Sequence, residues 1–176
     1  LRDAGSEANG VLLRGFSGLP NIPQFGTSYR LTPAAIAAYP MYRGLAQLVG
    51  MDVISCESTF ESELKVLKDN YMRKFDYYFI HYKLADSAGE DGDFEMKTKR
   101  LEEFDAHLES ITALDPDVLV VCGDHATPSY ISSHSWHPVP FLIKSQYSEG
   151  AAGASFSEIP CRLGSVGSIN AEQLML

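Results

Sequence analysis

Asp115-Pro116-Asp117-Val118-Leu119-Val120-Val121-Cys122-Gly123-Asp124-His125 is the stretch that decides the fold. Five apolar residues in a row, bounded by Asp-Pro and by Gly, predict a strand over 118–122. An uninterrupted apolar run suits a strand buried on both faces in a parallel sheet. In open sheets of that kind, ligands bind beyond the carboxyl ends of the strands, which is where Gly123-Asp124-His125 stands.

On the N-terminal side, Leu101, Phe104, Leu108 and Ile111 recur at helical spacing and predict an amphipathic helix. Asp93 is its N-cap and Asp115-Pro116 its end. Residues 83–93 read as a polar loop, and Tyr77–Tyr82 as a buried aromatic strand. Ser58 and Glu61 have the capping-box spacing, so a helix runs from there to about Lys74. Asp52–Cys56 reads as the strand before it. Thr32-Pro33 has the signature of a helix start, with Pro40 breaking that helix. A second helical stretch runs from about Met41 to Val49 and stops at Gly50. Residues 9–16 read as a short buried strand ending at Arg14, and residues 17–31, with Gly18, Pro20, Pro23 and Gly26, as a loop. Downstream, Pro140–Ile143 predicts one more strand, and the tail from 150 ends in a short amphipathic turn. Strands alternating with helices predict an α/β fold, a sheet with helices on both faces.

The 176 residues are 45% hydrophobic and 21% charged, a globular composition with enough chain for one real core. The formal net charge of −9 argues against nucleic acid as a partner. It leaves room for an anionic substrate held by a few arginines beside metal ions. Cys56, Cys122 and Cys161 fit neither a disulfide framework nor a zinc knuckle, and read as free thiols of a reducing, cytoplasmic compartment. No apolar run approaches the ~20 residues of a membrane helix. Leu1-Arg2-Asp3-Ala4-Gly5 lacks the apolar core of a signal peptide, and the start at Leu1 suggests a piece of a longer protein.

Three polar clusters could carry chemistry. The first, Lys83-Leu84-Ala85-Asp86-Ser87-Ala88-Gly89-Glu90-Asp91-Gly92-Asp93, has four carboxylates. Asp86 and Glu90 stand nearest the strand end, whereas Asp91 and Asp93 read as helix-capping, solvated residues. In Gly123-Asp124-His125-Ala126-Thr127-Pro128, Asp124 and His125 can reach one ion only if the backbone turns, which Gly123 permits. The third, His134-Ser135-Trp136-His137-Pro138, holds two of the five histidines. Each cluster alone has a structural reading: a capping loop, a structural Asp-His pair, histidines packed on Trp136. Mixed Asp, Glu and His donors suit Mn²⁺, Zn²⁺ or a similar divalent ion. Together the clusters suggest a dinuclear site, in which ions ~3.5–4 Å apart clamp the oxygens of a phosphoryl transfer.

Asp86-x-x-Gly89, then Gly123-Asp124-His125, then His134-x-x-x-Pro138-Val139-Pro140-Phe141, resembles the metal-site series of the alkaline phosphatase superfamily. Within it, three stretches resemble the archaeal-type, cofactor-independent phosphoglycerate mutases. They are Ala8-Asn9-Gly10-Val11-Leu12-Leu13-Arg14-Gly15, Tyr39-Pro40-Met41-Tyr42-Arg43-Gly44-Leu45-Ala46 and Lys83-x-x-Asp86-x-x-Gly89-Glu90-Asp91-Gly92-Asp93-Phe94. The resemblance covers nearly the whole chain. It implies that Asp86 and His134 ligate one ion and Asp124 and His125 another. Mn is the implied metal, with Zn, Mg or Co as alternatives. It also implies that Arg14 and Arg43 hold the phosphate or carboxylate of a phosphoglycerate, a task that suits arginine's planar fork. For each arginine a surface salt bridge is the competing reading.

The same resemblance implies an alkaline-phosphatase-like sheet plus the end of an inserted substrate-binding α/β region. Residues 1–50 would be the C-terminal part of that region, and 51–176 the C-terminal part of the metal-binding domain. Two departures stand out. The family often carries His where Glu90 stands, and the family's nucleophilic serine has no counterpart in these residues. The expectation is therefore a metal-dependent isomerase interconverting 3- and 2-phosphoglycerate through a phosphoserine, with this chain alone inactive. The competing expectations are a phosphatase or phosphopentomutase of the same superfamily, a non-catalytic metal-binding relic, and a plain α/β domain.

Overall fold

The computed structural model describes residues 10, 12–13, 15–148, 150 and 155–175. Its centre is a parallel sheet of three strands: β1 (Pro33–Ile36), β2 (Asp52–Val53) and β3 (Tyr77–Ile80), in the order β2-β1-β3. Ala34 and Ala35 face Asp52 and Val53 on one edge, and Pro33 to Ile36 face Tyr77 to Ile80 on the other. Ala34, Ala35, Ile36 and Ala37 are fully buried. The helix expected after Thr32-Pro33 is thus a strand. Its local helix signature yields to pairing on both edges, and Pro33, at the first strand position, forfeits only an amide that the ladder can spare.

Helix α1 (Phe25–Tyr29) precedes the sheet, inside the stretch read as a loop. Helix α2 (Pro40–Leu48) starts with Pro40 in its first turn, where the ring is tolerated, and packs on β1 and β2. Helix α3 (Phe60–Asn70) packs on β1 and ends before Lys74. Its N-cap is Thr59, one residue beyond the expected Ser58, and the Thr59 hydroxyl accepts from the Ser62 amide at 3.2 Å. Ala46, Phe60 and Leu67 complete the core around the alanine strand. Among the described residues one charged side chain is buried with them: Glu63 is 2% exposed and its Oε1 accepts from the Ala38 amide at 2.6 Å.

The polar stretch after β3 is not a loop but helix α4 (Leu84–Glu90), which packs against α5 (Phe94–Thr112). Asp93 caps α5 as expected, accepting from the Met96 amide at 2.8 Å. On the α5 face, Phe104 meets Phe60 and Tyr82, with ring centroids 5.6 and 5.3 Å away, whereas Leu101 is 51% exposed.

Strand β4 occupies Val118–Cys122, as the sequence predicts, but its neighbour is β5 (Phe141–Ser145) and the pairing is antiparallel. Val118 is 57% exposed, so the strand is not buried on both faces among the described residues. A continuous apolar run says that a strand can be covered twice, not that it is. The strand expected over 9–16 is absent from its described part: Leu12 and Phe16 are 82% and 84% exposed and in no ladder. A short helix, α6 (Glu158–Cys161), and a 3-10 turn at Ala171–Met175 close the chain. No described helix is long and apolar enough to cross a membrane.

Candidate metal centre

Two chain reversals bring the polar clusters together. Helix α4 begins four residues after β3 and carries Asp86 in its first turn. Gly89, one turn on, lies against the segment after β4, where a Cβ would collide with the Thr127 carbonyl oxygen. That close approach lets the Thr127 hydroxyl, in a side chain only 4% exposed, donate to Asp86 Oδ1 at 2.5 Å. The Lys97 ammonium of α5 donates to the Thr127 carbonyl and fixes the same segment. An isolated antiparallel bridge between Ala126 and Ser135, with the Ser135 amide 2.9 Å from the Ala126 carbonyl, then sets His134 beside His125. Their rings are 3.9 Å apart.

The result is a three-residue cluster. Asp86, His125 and His134 each offer a ligand atom within 4.8 Å of the others. Asp86 Oδ1 lies 3.8 Å from His125 Nδ1 and 3.8 Å from His134 Nε2, and Glu90 Oε1 lies 3.4 Å from His134 Nε2. The Thr127 hydroxyl has one proton, given to Asp86, so toward His125 Nδ1, 3.0 Å away, it acts as acceptor. That assigns the ring proton to Nδ1 and leaves His125 Nε2 with a free lone pair, 3.5 Å from Asp124 Oδ2. Gly123 keeps an ordinary backbone angle, so the turn here does not require glycine's freedom.

The charges are set for a cation. Burial pushes the Asp86 carboxyl up, but hydrogen bonds from Lys83 and Thr127 outweigh it and hold the group below the usual carboxylate range. For Asp124 burial also pushes up, and the hydrogen bond from the Tyr42 hydroxyl leads the contributions that bring it down. Both carboxylates are thus ionised at neutral pH. Lys83 is ion-paired with Asp86 and reaches Glu90 at 3.5 Å, so a positive charge already stands among the acids. Two imidazoles with three nearby carboxylates are a donor set that fits a divalent first-row ion.

Of the residues singled out from the sequence, Asp86, Glu90, Asp124, His125 and His134 are neighbours here. His137 turns away, with its Nδ1 2.9 Å from Ser135 Oγ and its ring stacked on Trp136. Arg43 sits on α2, and no hydrogen bond or ion pair among the described residues joins it to the cluster. Arg14 lies outside the described residues. Sequence reasoning missed Lys83, Thr127, Tyr42 and His81 as parts of the site. For His81 a signal existed: a histidine closing an apolar strand repeats the logic applied to Asp124.

The chain is 48% identical over 167 residues to a protein of Thermosipho melanesiensis, and 49% identical over 169 residues to one of Aquifex aeolicus. Both are named probable 2,3-bisphosphoglycerate-independent phosphoglycerate mutase. These matches cover 95% and 96% of this chain, which spans 41% of the length of either relative. Among solved structures, a protein from Pyrococcus horikoshii superposes with a TM-score of 0.79 at 28% identity, over 88% of this chain and 50% of the other. The cofactor-independent phosphoglycerate mutase from Thermoplasma acidophilum shares the fold, with a TM-score of 0.62 at 20% identity over 86% of this chain and 35% of that one. Residues 4–176 match the metalloenzyme superfamily, and the chain belongs to it.

Proposed function

We propose that this chain is the metal-binding portion of a cytoplasmic phosphoglycerate mutase that interconverts 3- and 2-phosphoglycerate without 2,3-bisphosphoglycerate. The observation that carries this reading is the convergence of Asp86, His125 and His134, with Glu90 and Asp124 at their margin. Relatives of that name, at 47–49% identity, supply the substrate.

In this reading Asp86, Glu90 and His134 hold one divalent ion, and Asp124 and His125 hold the second. Manganese is the metal of choice. When bound, the pair supplies Lewis-acid stabilisation of charge on a transferring phosphoryl group. The chain's own residues do the rest. Thr127 fixes the Asp86 carboxylate and the His125 tautomer. Lys83 balances the acids and is placed to meet an anionic substrate. Arg14 and Arg43 grip the substrate's phosphate and carboxylate. The nucleophilic serine comes from sequence outside these 176 residues. Its Oγ–P bond forms as the O3–P bond of 3-phosphoglycerate breaks, the serine proton passing to O3. The glycerate then turns, and the O2–P bond forms as the Oγ–P bond breaks, the O2 proton returning to the serine. The substrate-binding region is read as ending ahead of β1, because β1 pairs with β2 and β3, α2 packs on β1 and β2, and a boundary at residue 50 would cut through that sheet. The remainder belongs to the metal-binding domain.

The test is a coupled assay of the complete gene product, without 2,3-bisphosphoglycerate, with Mn²⁺ and after chelation. Turnover that vanishes with the chelator and returns with Mn²⁺ is the expected outcome. Release of inorganic phosphate in place of 2-phosphoglycerate makes the protein a phosphatase and overturns the reading.

A further inference from the structure

Tyr42 makes a contact that neither the superfamily match nor the sequence pattern assigns. Its hydroxyl donates to Asp124 Oδ2 at 2.6 Å, joining residues 82 positions apart. The ring cannot drift. It stacks on His81 with centroids 3.4 Å apart and planes at 22°, and it also meets Phe79 at 6.4 Å and Tyr39 at 6.2 Å. The backbone beneath it is tied down as well, because Ala38, at the mouth of α2, donates to the buried Glu63.

The geometry on Asp124 is complementary. Its Oδ1 accepts from the His125 amide at 3.1 Å, a bond within the same loop that ties the carboxylate only to its own neighbour. The only long-range restraint on its orientation among the described residues is the Tyr42 hydroxyl on Oδ2. That oxygen lies 3.5 Å from His125 Nε2, the nitrogen whose lone pair is free. Each carboxylate oxygen keeps a second lone pair for a ligand.

We propose that Tyr42 is a positioning residue for the metal centre, aiming the Asp124 carboxylate at the place where the free His125 nitrogen points. This rests on the reading of Asp124 and His125 as ligands. Hydrogen-bonding partners of metal ligands are worth about 10–100-fold in metal affinity. Tyr42→Phe keeps the ring, and with it the stack on His81, and removes the hydroxyl alone.

The test is a Mn²⁺ titration of the complete gene product, read by electron paramagnetic resonance, on the parent and on Tyr42→Phe, Tyr42→Leu and Asp124→Ala. Thermal midpoints are measured on all four. The expected result is that Asp124→Ala loses one class of Mn²⁺ site and Tyr42→Phe weakens that same class about 10-fold or more, with the other class unchanged. Parent-like affinity in Tyr42→Phe overturns the proposal while leaving the ligand assignment intact. Weakening in Tyr42→Leu alone also overturns it, since Tyr42 would then act only by packing. If Asp124→Ala keeps every Mn²⁺ site, the ligand assignment itself falls, and this proposal with it.

Discussion

Asp86 and Asp124 both follow an apolar strand, yet the protein holds them in opposite ways. Asp86 sits on a helix, with its side chain 18% exposed, locked by neighbours that the α4–α5 packing forces together. Asp124 sits on a loop, with its side chain 52% exposed, and relies on a tyrosine 82 positions away in the chain. The first arrangement is built into the local backbone. The second depends on the parallel sheet and the β4–β5 ladder keeping their distance. A hydrogen bond in the low-dielectric interior is also stronger than the same bond facing water. The Asp86 side should therefore tolerate distant perturbation and fail to local changes, and the Asp124 side the reverse.

The largest effect should come from Asp86→Ala, which removes the carboxylate shared by Lys83, Thr127 and both histidines. Mn²⁺ affinity should fall by more than about 100-fold, beyond what loss of an outer partner costs. Calorimetric titration checks this, and a smaller loss than that caused by Asp124→Ala would break the comparison.

Glu63 tests the remote support of the Asp124 side. Burial, opposed by the Ala38 amide, raises its carboxyl from 4.5 to about 7. The folded state thus binds this proton more tightly than the unfolded one. The stability it contributes is fully present below about pH 4.5 and is lost as the pH climbs to about 7. Glu63→Gln mimics the protonated form, so it should be more stable than the parent at pH 8 by roughly 3 kcal/mol and nearly equal at pH 4.5. Urea denaturation at the two pH values measures the difference. A parallel offset at both would mean that Glu63 does not titrate in this window.

Gly89→Ala strikes the local side. The added methyl meets the Thr127 carbonyl and the end of Lys97, and should cost about 1–3 kcal/mol by overpacking. Mn²⁺ binding at Asp86 should weaken with it. An unchanged urea midpoint would show that α4 shifts freely, and the rigidity claimed for Asp86 would fall.

Much of this was legible in the sequence, for reasons that differ by element. Helix α5 declared itself by period and cap. Two of the three clusters declared themselves because titratable residues followed apolar strands, a local pattern, whereas the His134 cluster precedes its strand. β1 was misread because Thr-Pro followed by alanines carries a helix signature, and only pairing with strands up to 44 residues away overrules it. Helix α4 was misread because Asp, Ser and Gly are weak helix formers, and its packing against α5 decides the matter. Thr127 and Tyr42 were invisible as site residues because their partners lie 41 and 82 positions away. A long-range hydrogen bond leaves no periodicity to read.

The strand order carries one more consequence, for the making of the protein. The middle strand of the parallel sheet comes first in the chain, and its second neighbour follows about 44 residues later. At a synthesis rate of ~5–20 residues per second, roughly 2–9 s separate Pro33–Ile36 from that second neighbour. Alanine is well suited to that interval, since it exposes little apolar surface to attract a wrong partner. His81 and Asp86 follow directly behind the strand that ends it. The histidines and carboxylates of the candidate metal centre are therefore synthesised only after the three described strands beneath them.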